Sequence, residues 1–325
     1  MRSKIGPAAL QTATYDPFLE SQGVRVMHFP YQWYCATSMP SIFNPQDVQQ
    51  FYHPEFFSKA EMRFRTSHYQ KWCDACTLID VPSAATKQDL IRFMGIAPGK
   101  VAVVPKASPL VFVASGIADL NATRKALHLP AQFMLFPAQT WPHKNHARLF
   151  EALAQLRDRE NLRLHLVCTG RRNEHWSHLA AKVRELDLSS QVQFLDYVPA
   201  AQLKALYHLA EFTVFPTLFE GGGLPLLEAF CEGSPLACSA IPVLVEQTGD
   251  AALLFDPLSV EGIAAALRQL HADPQLRATL RERGLVVAQH YTWERTARTY
   301  RALYRKLGSS PLTDEDHALI RTAMT

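Results

Sequence analysis

The sequence predicts an α/β protein made of two Rossmann-like domains with parallel sheets, the N-terminal one incomplete. Two observations carry this expectation. From residue 133 onward, apolar runs of strand length alternate with amphipathic stretches of helical period. Residues 215–230, FPTLFEGGGLPLLEAF, set three glycines between the end of one such run and the start of the next helix. Strands that alternate with helices of this length are joined by crossovers, so their sheet is parallel and covered on both faces.

In order, FMLFPA reads as a buried strand and NHARLFEALAQLRDR as a helix with Phe150, Leu153 and Leu156 on one side. LRLHLVCTG is a second strand, and EHWSHLAAKVRELD brings Trp176, Leu179, Ala180, Val183 and Leu186 to helical spacing. Strand VQFLDYV, helix AAQLKALYHLAE, strand EFTVFPT, helix PLLEAFCEG and strands PLACSA and AALLF follow. The first third is sparser: GVRVMHF, MPSIFNP, CTLIDVP and KVAVVPK read as strands, and ATKQDLIRFMG as a helix closed by Gly95. The expected division is 1–125 for a partial N-terminal domain, 126–295 for the C-terminal domain and 296–325 for a closing helix and a weakly docked tail. Residues 106–130 are expected to connect the two domains.

Composition bounds the function. With 325 residues, 48% of them hydrophobic, the chain can bury the cores of two domains. A net charge of +3 without a lysine or arginine run gives no nucleic-acid footprint. It suits an anionic small ligand or an acidic membrane surface equally. No apolar run nears the roughly 18 residues of a membrane span, and the first residues lack the apolar centre of a signal peptide. The expected location is cytoplasmic, extending to the inner membrane face. Six scattered cysteines form no disulfide framework, and the CxxC pair Cys73 and Cys76 lacks the second ligand pair of a zinc site. Those two are expected to be small buried residues beside a strand.

The glycine loop carries the functional expectation. Its strand ends near Thr217, and Pro225 suits the first turn of a helix. Glu220 and the glycines then lie at the carboxyl end of a parallel strand, where open sheets bind their ligands, and Glu228 lies one turn into the helix. Bare glycine backbone admits a ligand, and the N–H groups at the helix start favour a diphosphate. A carboxylate on either side accepts hydrogen bonds from the hydroxyls of two flanking sugars.

These residues resemble the E-x7-E segment of retaining nucleotide-sugar glycosyltransferases of family 4, which have the two-domain GT-B fold. FPAQTWPHKNHARLFEAL, VQFLDYVPAAQLKALYHLAEFTVFPT, EQTGDAALLFDP and YTWERTARTYRALY are also similar to that family. So are PSIFNPQDVQQFYHPEFF and VPSAATKQDLIRFMGIAPGKVAVVP in the first domain, and the resemblance covers most of residues 25–307. It implies that Glu228 binds the ribose hydroxyls of the donor nucleotide. Glu220 would contact the transferred sugar near its reacting carbon, and Lys144 would neutralise the departing diphosphate, which makes Glu220 and Lys144 the catalytic pair. Gly221, Gly222, Gly223 and Leu224 would bind the donor, with Gln139, Asp47 and the segment GDAA as further donor-side positions. The reaction so implied moves a sugar from a nucleoside diphosphate to a hydroxyl of a glycan or glycolipid, without metal or other cofactor. His143 and His146, and likewise His175 and His178, are pairs lacking a third ligand, and Asp314 and Asp316 fall in the polar tail. Peripheral membrane association, and an oligomer or partner covering the incomplete domain, belong to the same expectation.

The chain departs from the family pattern at three places. Gln139 stands where an arginine is common, leaving Arg171 and Arg172 as alternative cations. Gln46 precedes Asp47 where a histidine is common. The first strand and glycine loop of a full N-terminal domain are not found before residue 25. Two readings therefore stay open: a retaining transferase working by front-face displacement, and a catalytically silent nucleotide-sugar-binding subunit or degenerate fragment. A dinucleotide oxidoreductase is disfavoured, because no G-x-G-x-x-G follows an early strand.

Overall fold

The computed structural model describes residues 16–110 and 116–325. By its internal contacts the chain forms two units: the described residues up to Pro105 together with Trp293–Thr325, and Lys106–Thr292.

The first unit is a four-stranded parallel sheet of β1 (Met27–Phe29), β2 (Ser41–Phe43), β3 (Leu78–Val81) and β4 (Val101–Val103), paired in that order. Successive side chains on a strand face opposite sides. Phe43, Ile79, Val81 and Val101 accordingly pack with Tyr69, Trp72 and Cys73 of helix Lys59–Ala75 and with Leu90 and Met94 of helix Ala84–Met94. On the other side Ile42, Leu78, Ala102 and Val104 pack with Ala302 and Leu303 of helix Trp293–Leu307 and with Ile320 and Ala323 of helix Asp314–Met324.

The expected weakly docked tail is therefore corrected: residues 314–324 form a helix that covers the second face of this sheet. A capping box between Thr313 and Asp316 starts that helix, and the buried Asp316 carboxylate also accepts from Arg305 at 2.7 Å. The Asp314/Asp316 pair thus serves a helix start. Helix Lys59–Ala75 was not foreseen, although its Ser58–Glu61 capping box is an S-x-x-E signature.

The second unit is a six-stranded parallel sheet of β5 (Met134–Pro137), β6 (Leu166–Thr169), β7 (Val192–Phe194), β8 (Phe212–Phe215), β9 (Leu236–Ser239) and β10 (Leu253–Phe255). Its order is β10-β9-β8-β5-β6-β7. The chain thus winds outward from β5 in one direction and from β8 in the other, and the strand order reverses between those neighbours. Every strand expected between 133 and 255 is present. Two further helices, Pro242–Thr248 and Val260–Ala272, complete the faces. Leu110 packs into this unit's core and the Ala118 N–H donates to the Ala201 carbonyl at 3.1 Å, so the contacts divide the chain at 105/106 rather than at 125. Part of the expected 106–130 connection, residues 111–115, lies outside the described residues.

Cys73 and Cys76 are buried and free, and burial pushes both thiols up, that of Cys76 to about 12. Neither is a thiolate near neutral pH. Among the described residues no helix is long and apolar enough to cross a membrane.

Candidate functional site

In an open α/β sheet, loops at the carboxyl ends of the two strands flanking the reversal diverge and leave a crevice. Here those loops follow β5 and β8. The first enters a 3-10 turn, Pro142–Lys144, and then Asn145, whose left-handed backbone (φ 64°) precedes helix His146–Glu160. The second runs from Pro216 to Gly223, also left-handed at φ 38°, and enters helix Leu224–Cys231 with Pro225 in its first turn.

Hydrogen bonds join these loops. The His143 carbonyl accepts from the Leu218 N–H at 2.7 Å and from Thr217 Oγ1 at 3.1 Å. The Asn145 amide, 4% exposed, donates at 2.9 Å to the carbonyls of both Pro216 and Pro257. The consequence is that Lys144 and Glu220, 76 positions apart in sequence, meet at 2.5 Å. Their side chains are only 13% and 11% exposed, and the ammonium lies 5.1 Å from the centre of the Phe215 ring.

A cavity of about 460 Å³ opens beside this pair. Pro137, Gln139, Trp141, His143 and Lys144 line it from the β5 side, Thr169 and Gly170 from the end of β6, and Pro225 and Glu228 from the glycine-loop helix. Glu228 is 9% exposed; its Oε2 accepts from the Tyr207 hydroxyl at 3.0 Å. Burial raises its carboxyl to about 7, with the Tyr207 hydrogen bond opposing the rise and Glu232 adding to it.

The remaining expected residues fall as follows. Gly223 alone of the three glycines has a positive φ, and a Cβ there would overlap Gln247 Oε1 and lie 2.9 Å from Leu244 Cδ2. Gln247 also donates to the Gly222 carbonyl at 3.1 Å, so the EQTG segment holds the glycine loop in place. Gly221 precedes them in the loop, and Leu224, 37% exposed, opens the helix. Gln139 uses its Oε1 to accept from the Trp141 indole at 2.9 Å. Asp47 belongs to the first unit, where it accepts from the Gln49 N–H at 3.2 Å and pairs with Arg65 at 3.5 Å. The guanidinium of Arg171 lies over Tyr197 and that of Arg172 over Trp176, at 5.6 and 4.2 Å from the ring centres. His146 is 1% exposed among Phe136, Phe150 and Phe194, and burial lowers its imidazole to about 3. It thus sits in the aromatic core behind Lys144. Among the described residues no group of three or more His, Cys, Asp or Glu side chains is placed to hold a metal ion.

Sequence reasoning missed Asn145, Tyr207 and Gly170. The turn-to-helix position of Asn145 was readable as a left-handed cap, because asparagine tolerates positive φ. Tyr207 gave only the signal of a polar-tipped aromatic on an apolar helix.

A doubly wound sheet with an acid- and lysine-lined cavity at its reversal defines an open α/β protein with its crevice where such sheets bind ligands. The family profile described as glycosyl transferases group 1 matches residues 121–286, and the chain belongs to that family. It is 29% identical over 249 residues to the O-antigen chain mannosyltransferase B of Escherichia coli, an alignment covering 76% of this chain and 65% of that relative. The chain thus spans less than two thirds of that relative's length. Among solved structures, sucrose-phosphate synthase from Thermosynechococcus elongatus is similar with a TM-score of 0.73 at 21% identity, covering 90% of this chain and 76% of that one. HepE of Anabaena, solved in complex with UDP and glucose, gives 0.67 at 18% identity, covering 83% and 72%. The fold class is accordingly that of the GT-B glycosyltransferase structures, with two parallel α/β units.

Proposed function

We propose that this chain is a retaining glycosyltransferase of family 4 type, which takes a sugar from a nucleoside diphosphate and passes it to a hydroxyl of a glycan or glycolipid. The observation that carries this reading is the convergence of Lys144, Glu220 and Glu228 on the β5/β8 reversal. Breaking the sugar–phosphate bond builds negative charge on the leaving diphosphate. A preorganised cation, Lys144, and backbone N–H groups of the glycine loop that leads into helix Leu224–Cys231 stabilise that charge. Glu220 holds the transferred sugar through its hydroxyls, and its present bond to Lys144 keeps that ammonium oriented until the diphosphate replaces it. Glu228 accepts from the ribose. The relatives support the donor class: one is named a mannosyltransferase, and HepE was solved with UDP and glucose.

One observation favours a second reading, a nucleotide-sugar-binding subunit without turnover. Gln139 is neutral and engaged with Trp141, and Arg171 and Arg172 lie over aromatic rings, so Lys144 faces the diphosphate without an arginine at position 139. Incubation with a panel of UDP-, GDP- and ADP-sugars, with and without glycan acceptors, separates the two. Consumption of one donor with release of its nucleoside diphosphate supports the transferase. Tight binding with the donor intact supports the silent subunit, and absence of any nucleotide binding overturns both.

A further inference from the structure

Tyr207 stands behind the cavity on helix Ala200–Leu209, 1% exposed. Its hydroxyl lies 3.0 Å from Glu228 Oε2 and 3.3 Å from the Pro225 carbonyl. A phenol has one proton, and a carboxylate is the stronger acceptor of the two, so the Glu228 bond is the one that is made. Glu228 Oε1 has no hydrogen-bond partner among the described residues, and the residue lines the cavity. One oxygen is thus held from behind while the other is presented forward.

Resting on the assignment of Glu228 to the ribose, we propose that Tyr207 is a positioning residue. It pins one oxygen of Glu228 so that the other meets two neighbouring hydroxyls of the nucleotide sugar, and nucleotide affinity thereby depends on the ionisation of Glu228. A free oxygen of an ionised carboxylate can accept from both hydroxyls of a vicinal diol, whereas a protonated carboxyl must place its own proton as well. The charged and titratable groups around Glu228 are few. Helix Ala200–Leu209 contributes Tyr207, with Lys204 and His208 directed at Glu232 at 3.6 and 3.1 Å. Its own helix contributes Cys231 and the adjoining Glu232, and His143 and Lys144 line the same cavity. Because burial holds the Glu228 carboxyl at about 7, the diol contact is present above that pH and lost as pH falls through it. The Tyr207 hydrogen bond lowers that value, so its removal moves the midpoint upward.

The test is titration calorimetry on the full chain with UDP, GDP, ADP and CDP, carrying forward the tightest binder and its 2′-deoxy form between roughly pH 5.5 and 8.5. Phosphate ionisation is common to the two ligands, so their affinity ratio isolates the diol contact. The expected wild-type ratio favours the ribonucleotide at high pH and falls through a midpoint near neutrality. Tyr207→Phe is expected to cut that ratio about tenfold at pH 7, equivalent to about 1.4 kcal/mol, and to move the midpoint to higher pH. Glu228→Gln should give a small ratio that does not vary with pH. An unchanged ratio and midpoint in Tyr207→Phe, with the flat ratio retained in Glu228→Gln, overturns the positioning role and leaves the ribose assignment standing. Equal losses for both ligands in Tyr207→Phe also overturn it, because a merely structural tyrosine would act on them alike. A wild-type protein that does not distinguish the ligands overturns the ribose assignment and the positioning role together.

Discussion

Two buried carboxylates, one in each unit, show how parallel sheets of similar build put polar groups to opposite uses. Asp80, in β3, is fully buried, and its Oδ2 accepts both from Asn44 Nδ2 at 2.8 Å and from the Tyr300 hydroxyl at 2.5 Å. His28 Nε2 lies 3.5 Å from it, and the other ring nitrogen of His28 is 2.7 Å from the Tyr304 hydroxyl. Tyr300 and Tyr304 belong to helix Trp293–Leu307, so this chain of bonds fastens the helix to the sheet. Glu228 is nearly as buried, but only one of its oxygens is taken up by its own chain. A carboxylate enclosed by side chains of its own unit acts as a clamp, and one that lines a cavity is available to a ligand.

The largest effect that separates the two belongs to the clamp. Asp80→Ala removes the shared acceptor of Asn44 and Tyr300 and leaves buried donors unmatched, which costs about 3–5 kcal/mol for a network of this kind. At roughly 2–4 °C per kcal/mol, the thermal transition of the first unit should fall by on the order of 10 °C. Nucleotide affinity measured well below that transition should stay within about twofold, since the cavity is built wholly from the second unit. A parallel loss of affinity would show that the contrast between the two carboxylates is misdrawn.

Lys144→Ala should act the other way, on chemistry rather than on folding. Removing a preorganised group that stabilises developing charge lowers turnover by about 10²–10³. The same change should weaken nucleoside diphosphate binding only about tenfold, because the ground-state diphosphate keeps its backbone donors. Single-turnover rates on the donor found by the panel, beside calorimetric affinities, give the comparison. Equal losses in the two would place Lys144 in ground-state binding alone.

The two units also differ in how far their sequence could be read. Parallel strands buried on both faces are continuous apolar runs, and β5, β6, β8 and β9 were legible for that reason. Glu220, Glu228 and Lys144 were legible as local motifs. What brings them together was not: Asn145 bridges to Pro216 and Pro257, 71 and 112 positions away, and no local pattern encodes such a contact. Helix Asp314–Met324 escaped notice because three acidic residues open it and only a narrow stripe, including Ile320 and Ala323, is buried. Its stability comes from the sheet it covers.

Glu228 supplies a test of its incomplete satisfaction. Its carboxyl is raised in the folded state, so between the ordinary value of 4.5 and about 7 the unfolded chain ionises first and stability falls with rising pH. Above about 7 the loss is complete, amounting to at most about 3 kcal/mol. Glu228→Gln keeps an acceptor for Tyr207 without the charge. Urea unfolding should therefore show the variant gaining stability over wild type at pH 8 and little or nothing at pH 5. A gain of equal size at both would assign the effect to packing rather than to the buried charge.

The smallest effect concerns two glycines with positive φ, one in each unit. Gly170 has φ 118°, and a Cβ there would lie 2.6 Å from the backbone carbon and oxygen of Ala138 and 2.7 Å from the Gln139 nitrogen. Those atoms carry the cavity-lining loop after β5, so Gly170→Ala must move either that loop or the end of β6. Gly95, at φ 63°, closes helix Ala84–Met94 with nothing within 4 Å of a built Cβ. Gly95→Ala strains the backbone by about 1 kcal/mol and lowers the melting temperature without touching the ligand. Gly170→Ala should do that and also weaken nucleoside diphosphate binding about tenfold, or about 1.4 kcal/mol. The discriminating quantity is the change in affinity at matched loss of stability. If both alanines leave affinity unaltered, the β5 loop accommodates the displacement, and the backbone contact at Gly170 serves the sheet rather than the cavity.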